Sequence, residues 1–148
     1  MPDIPLEHKK AVNSALNILG YADNTEKKLR EKLRHKGFDP ASVDFAVGYV
    51  KDIGALKDSR FIEIELRRLA EKKLYGIRRI TQELYVKGFS REDIASLDFD
   101  DIDFPALCAK RIEQIAHRYP DKRKLCAALM RYGYTSADVK LALEIINE

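Results

Sequence analysis

The sequence predicts an all-α, elongated protein made of three tandem three-helix repeats, each resembling a helix-turn-helix. Apolar residues recur at helical spacing, and valine, isoleucine and threonine do not form the alternating runs of strands. One helix ending occurs three times, as "LRHKGFDPASV" from Leu33, "LYVKGFSREDI" from Leu84 and "LMRYGYTSADV" from Leu129. The three glycines lie about 50 residues apart, a period compatible with an array of helical repeats.

The first ending predicts a tight corner between two helices. Gly37 follows the helix that contains Leu33 and suits a left-handed residue, where a side chain would clash. Phe38 can then pack back on Leu33 and forward on Val43, as a hydrophobic staple does. Asp39 suits the N-cap of the next helix. The other two copies repeat these roles. The predicted corner residues are Leu33, Gly37, Phe38, Leu84, Gly88, Phe89, Leu129, Gly133 and Tyr134.

Each corner has a longer helix upstream, predicted over Leu6 to Ala22, Ser59 to Tyr75 and Phe104 to Tyr119. A third helix closes the first and last repeats, but the second closing helix is degraded, because "DFDDID" interrupts the apolar pattern after Leu97. The predicted domains are residues 1–54, 55–103 and 104–148. The inner side of the first long helix is predicted to be Ala11, Ala15, Leu16, Leu19 and Ala22.

Composition predicts a cytoplasmic protein. Of 148 residues, 45% are apolar and 34% charged, with a formal net charge of +3, so total charge alone does not indicate a nucleic-acid partner. No apolar run approaches a membrane span, and "MPDIPLEHKK" lacks the apolar centre of a signal peptide. Cys108 and Cys126 fall within predicted helices and are interpreted as reduced core residues.

The order of three motifs resembles the RecX family, regulators of the RecA recombinase. The motifs are the L-x-x-x-L-x-x-x-G-[FY] helix ending, the junction of Gly54, Leu56, Asp58 and Phe61, and the G-x-x-x-I-x-x-E-L-x-x-K-G run from Gly76 to Gly88. The resemblance covers about residues 11 to 94, and the third repeat matches only in periodicity. It implies a curved rod of three repeats that binds in the groove of the RecA–DNA filament. It also implies inhibition of filament extension, strand exchange and ATP hydrolysis, in DNA repair, recombination and the SOS response.

The chain contains no pattern that predicts an enzyme, a metal site or a cofactor. It has no phosphate-binding loop, no nucleophile elbow and no Walker lysine. His8, His35 and His117 are far apart and lack a partner at metal spacing. The acidic cluster from Asp98 to Asp103 lacks the glycine and distal glutamate of a calcium loop, which favours an exposed turn.

Two basic sets are the candidate binding residues. One lies on the middle helix of the first repeat, and the other spans the end of the second long helix and the start of the next. These partner- or phosphate-binding candidates are Lys27, Arg30, Arg34, Arg67, Arg68, Lys72, Lys73, Arg78 and Arg79. They meet either phosphates or an acidic protein groove, or they form a solvated face whose side-chain stems cover apolar surface.

The leading hypothesis is a monomeric, non-catalytic regulator that binds RecA or the RecA–DNA filament, with weak contacts to DNA phosphates. The alternative is a helical DNA-binding module that acts independently of RecA, for which the helix-turn-helix corners are the motivation. The absence of an aromatic row near the basic residues argues against single-strand readout as the main task.

Overall fold

The structure, a computed structural model, describes residues 4–22 and 24–147, and all its regular secondary structure is helical over that range. The prediction of an all-α protein is confirmed. The helices are α1 Leu6–Tyr21, α2 Glu26–His35, α3 Pro40–Asp52, α4 Asp58–Arg67, α5 Ile77–Lys87, α6 Arg91–Ala95, α7 Phe104–Ile115, α8 Lys122–Arg131 and α9 Ser136–Ile146. None of the helices described is both long enough and apolar enough to cross a membrane.

Two of the long helices predicted from the sequence change their hydrogen-bond pattern near the end. A π-helical turn, Arg68–Lys72, continues α4, and a 3-10 turn, Ala116–Arg118, continues α7. The π turn has a wider ring, in which the Lys73 N–H donates to the Arg68 carbonyl at 3.1 Å. The helix predicted over Ser59 to Tyr75 is present from Asp58 to Lys72, with its last turn π-helical, and the short α6 agrees with the degraded closing helix.

The described chain forms two compact units. One runs up to Ile62 and includes residues 87–90; the other contains residues 63–86 and the chain from Arg91 onward. The repeat boundaries at residues 54 and 103 remain a prediction.

In the first unit, α1 packs along α3, and α2 packs against both. Ala11 and Ala15 have no exposed surface, and their small side chains let the two helices approach closely. The prediction that Leu16 and Ala22 lie inside is wrong, since Leu16 is 38% exposed and Ala22 is exposed. The buried stripe of α1 continues to the partly buried Leu19 instead. One cluster of this core consists of Ala11, Ala15, Leu29, Leu33, Val43, Ala46, Val47, Val50 and Leu56.

In the second unit, α7 packs against α9 and α8, and these two helices also contact each other. Cys108 of α7, Leu129 of α8 and Ala142 of α9 have no exposed surface. Ile80 and Leu84 of α5 are equally buried. Burial of apolar surface from four helices stabilises this unit.

The glycine of each repeat corner has a positive φ. Gly37, Gly88 and Gly133 have φ values of 95°, 110° and 100°. In the first corner the Phe38 N–H donates to the Leu33 carbonyl at 3.3 Å, and the Gly37 N–H donates to the Arg34 carbonyl at 2.9 Å, the pair of bonds that defines a Schellman ending. The third corner makes the equivalent two bonds.

The aromatic residues of the corners differ in burial. Phe89 and Tyr134 are buried, whereas Phe38 is only partly buried at the edge of the first core. A methyl group on Gly37 would meet no atom within 4 Å, so that corner is open. The second and third corners each lie against the start of a middle helix, which explains the deeper burial of their aromatic rings.

Candidate partner-binding surface

Thr25 fastens the start of α2, the helix that carries the first basic set. Its hydroxyl accepts from the Lys28 N–H at 3.1 Å and donates to the Lys87 carbonyl at 3.0 Å. The residue has no exposed surface. Sequence reasoning missed Thr25, although a threonine directly before a glutamate-led helix is an N-cap signal.

Arg30, a residue of the first basic set, is engaged within the protein. Its guanidinium donates to Asp44 at 2.6 Å and to Glu26 at 3.3 Å. The pKa of Arg30 is raised above the ordinary arginine value, chiefly by the bond with Asp44. Lys27 and Arg34 are exposed and form no ion pair with any described residue. The first set therefore offers two free cations rather than three.

Two arginines of the second set are also engaged. Arg68 makes two 3.1 Å bonds to the carboxylate of Glu65, which is only 5% exposed, and this pairing raises the pKa of Arg68. Arg79 donates to Glu83 at 2.8 Å, which raises the Arg79 pKa, and lies 4.6 Å from the centre of the Tyr75 ring. Both guanidinium groups therefore neutralise carboxylates of their own unit.

Arg67 points to a different part of the second unit from Arg68. Its guanidinium pairs with the exposed Glu71 at 3.3 Å, and exposed pairs of this kind are weak. It also lines a groove with Asp101 and Lys110. Arg67 and Arg68 are thus adjacent in sequence but have different neighbours.

Lys72, Lys73 and Arg78 are the free cations of the second set. All three are exposed, and none forms an ion pair within the described part of the chain. They belong to residues 72–79, which we call the basic segment.

The backbone of the basic segment is held by the third repeat. The Gly76 N–H donates to the Tyr132 carbonyl at 2.9 Å, and the Arg78 N–H donates to the Gly133 carbonyl at 3.1 Å. The Tyr134 hydroxyl donates to the Leu74 carbonyl at 2.6 Å. Sequence reasoning assigned Gly133 and Tyr134 to a corner but did not predict that this corner contacts the basic segment.

The acidic cluster makes a local turn in which the Asp100 N–H donates to the Asp98 carboxylate at 2.8 Å. Across the residues that can be described, no three His, Cys, Asp or Glu side chains are grouped so as to hold a metal ion. The free cations of the basic segment suit anionic or acidic partners.

This chain is similar in sequence to proteins of one known family. A family model described as "RecX, first three-helix domain" matches residues 11–49. The regulatory protein RecX of Clostridioides difficile (strain 630) is 31% identical over 147 residues, covering 94% of this chain and 68% of the relative. The regulatory protein RecX of Listeria welshimeri is 28% identical, covering 95% of this chain but only 55% of the relative. This chain therefore spans little more than half of the Listeria protein.

A solved structure shares the fold. The crystal structure of RecX from Lactobacillus salivarius superposes with a TM-score of 0.85 at 20% identity, covering 95% of this chain and 97% of that one.

Proposed function

We propose, since this chain belongs to the RecX family of regulatory proteins, that it is a non-catalytic regulator of the RecA recombinase. It binds RecA or the RecA–DNA filament and inhibits ATP hydrolysis and strand exchange by occupying the filament groove. Its role is then to limit recombination during DNA repair.

The observation that supports this proposal is the set of free cations on the basic segment. Lys72, Lys73 and Arg78 are exposed on a short stretch, and no described carboxylate neutralises them. A run of unpaired cations attracts an acidic protein surface or DNA phosphates, and the DNA of a RecA–DNA filament supplies phosphates. Lys27 and Arg34 of α2 add free cations on the first unit.

The test is a charge-reversal variant, Lys72→Glu with Lys73→Glu and Arg78→Glu. Arg68 is left unchanged, because a glutamate there would face the buried Glu65 and destabilise the protein. We expect the concentration that half-inhibits RecA ATPase to rise about tenfold or more. A tenfold rise corresponds to a loss of about 1.4 kcal/mol of binding free energy.

A matched control separates the position of the charges from their number. Lys122, Lys124 and Lys140 are exposed lysines of α8 and α9 that form no ion pair with the residues described. Their combined reversal to glutamate makes the same change in net charge. The control should inhibit RecA like the unaltered protein, and equal losses in both variants would contradict a role for the basic segment.

The alternative function, DNA binding without RecA, has its own measurement. Mobility shift of free duplex DNA by the unaltered protein, at increasing salt, reports the phosphate contacts alone. Tight binding that Lys72→Glu, Lys73→Glu and Arg78→Glu abolish, together with unchanged RecA ATPase in the presence of the unaltered protein, would replace the RecA proposal with this alternative.

A further inference from the structure

We propose that Arg111 and Tyr134 are positioning residues for partner binding. They hold the backbone of the basic segment in the one conformation that presents Lys72, Lys73 and Arg78 to the partner. This inference rests on the proposed function, because it assumes that the basic segment binds the partner. It assigns the third repeat the role of supporting the binding surface of the second repeat.

The basic segment has a backbone that does not form by itself. It begins in the π-helical turn Arg68–Lys72 and then passes through Leu74, whose φ is +53°. A leucine rarely adopts this left-handed conformation, and such a residue persists only where its surroundings hold it. Leu74 is the one residue other than glycine with positive φ in the part of the chain that the structure describes.

Arg111 supplies the first support. Its guanidinium donates to the carbonyl of Lys73 and, through a second nitrogen, to the Gln114 side chain at 3.1 Å. The same group lies 4.3 Å from the centre of the Tyr132 ring. Two directional bonds and a stacking contact fix the plane of a guanidinium, which a lysine ammonium at this position would not reproduce.

Tyr134 supplies the second support at the next residue. Its side chain is fully buried, and its hydroxyl donates to the Leu74 carbonyl at 2.6 Å. Burial raises the pKa of this phenol above its ordinary value, so the hydroxyl keeps the proton it donates. The carbonyls of Lys73 and Leu74 are thus both held by side chains of the third repeat.

The amides that follow are held by the backbone of the same corner, since Gly76 donates to Tyr132 and Arg78 donates to Gly133. Two carbonyls and two amides between Lys73 and Arg78 are therefore bound on one side, while the three free cations are exposed to solvent. Side chains on a backbone that is already ordered lose less entropy when they bind, which favours affinity.

The experiment uses a double variant that carries both Arg111→Lys and Tyr134→Phe. This variant keeps the net charge and nearly all of the apolar volume, and it is compared with the unaltered protein. The control is Arg118→Lys with Tyr119→Phe, because neither of those side chains makes a hydrogen bond or ion pair within the described residues. Hydrogen exchange measures the amides of Gly76 and Arg78 without RecA. We expect at least about tenfold faster exchange there, with helix α7 unchanged, and a several-fold rise in the half-inhibiting concentration for RecA ATPase.

Each result decides the inference. Unchanged exchange at Gly76 and Arg78 would overturn it, whatever happens to inhibition. Faster exchange with full inhibition would also overturn it, provided that the charge-reversal variant loses inhibition. Should the charge-reversal variant keep full inhibition, the proposed function of the basic segment fails, and exchange at the two amides still judges the positioning. Tyr134→Phe alone removes one hydroxyl and serves if the double variant does not fold.

Discussion

Gly76 and Gly133 lie backbone against backbone. A methyl group on Gly76 would lie 2.5 Å from the carbonyl oxygen of Gly133 and would overlap its carbonyl carbon. A methyl group on Gly133 would in turn overlap the backbone of Arg79. The third corner therefore does more than end α8, because its bare backbone is the surface on which the start of α5 rests.

The second corner makes a related contact in the first unit. A methyl group on Gly88 would lie 2.6 Å from the Thr25 hydroxyl oxygen, and the same hydroxyl binds the carbonyl of Lys87. In both units a glycine corner meets the start of a middle helix, α2 in one case and α5 in the other. The absence of a side chain at the corner is what permits the approach.

The three corner glycines should differ in their tolerance of alanine. Gly37→Ala should cost about 1–2 kcal/mol, since it meets only left-handed strain and open space. Gly133→Ala should cost about 3–5 kcal/mol, because overlap with the Arg79 backbone adds to that strain. Gly88→Ala should lie between them, since a threonine side chain can move. Urea unfolding followed by circular dichroism measures the order, and equal costs would contradict it.

Gly76→Ala should destabilise the protein by about 2–3 kcal/mol although the residue needs no left-handed backbone. The added methyl group would press on the backbone of Gly133 and Tyr134, which cannot rotate away as a side chain does. Gly48→Ala in α3 is the control, because that methyl group would meet nothing within 4 Å. It should stabilise α3 by about 0.5–1 kcal/mol. A neutral Gly76→Ala would show that the two backbones are not in contact.

Leu84→Ala should reduce the free energy of unfolding by about 2–5 kcal/mol, because it removes a fully buried side chain and leaves a cavity. Val86→Ala in the same helix is the comparison. Val86 is 62% exposed, so its truncation should change stability by no more than about 0.5 kcal/mol. Chemical denaturation of both variants gives the two values, and similar losses would argue against the burial of Leu84.

The two cysteines should react at different rates in the native protein. Cys108 is fully buried and its pKa is raised to about 12, chiefly by burial, whereas Cys126 is only partly buried. A thiol-reactive disulfide reagent at neutral pH should therefore label Cys126 quickly and Cys108 only after unfolding. Peptide mass spectrometry identifies the labelled residue. Rapid native labelling of Cys108 would refute its placement.

The same thiol should affect stability in alkali. Its folded-state pKa lies above the ordinary value of 9.0, so the folded protein keeps a proton that the unfolded chain releases. This contribution is fully present below pH 9.0 and is lost as the pH rises toward 12. Cys108→Ala should remove this part of the decline in unfolding free energy, and Cys126→Ala should not.

Glu26 should contribute to stability above about pH 4.5 and lose that contribution in acid. Lys51 lies 2.8 Å away and, as the main cause, holds the pKa of the Glu26 carboxyl below its ordinary value of 4.5. The stabilisation is lost as the pH falls through the lowered pKa. Glu26→Gln should therefore show a shallower acid decline in thermal unfolding than the unaltered protein. Glu113→Gln, at an exposed position, should follow the unaltered protein, and identical curves for all three would exclude the pair.

Local features of the chain were predictable where neighbours in sequence decide the conformation. Glycine at residues 37, 88 and 133 indicated left-handed helix endings, and Asp39 indicated a cap, which its carboxylate forms with the Ser42 N–H at 2.7 Å. Each of these conformations depends on a few consecutive residues, so one sequence suffices to predict it. The weak closing helix of the second repeat was equally visible, because "DFDDID" cannot supply an apolar face.

The pairing of charges was not predictable in the same way. Arg30 and Arg34 have equivalent positions in the helical pattern of the sequence. Asp44, which belongs to another helix, forms an ion pair only with Arg30. Arg68 and Lys72 also read alike, yet only Arg68 faces the buried Glu65. Whether a cation is free depends on which carboxylate the fold brings near it, and that is a property of packing.

The amino-acid sequence by itself determined the helical class, the three glycine corners and the family resemblance, because periodicity and helix endings depend on short stretches of consecutive residues. Only the tertiary structure decided that Tyr134 holds Leu74 and that Gly133 supports Gly76, because these partners lie far apart in the chain. Long-range contacts depend on the three-dimensional path of the backbone, and no local pattern records them.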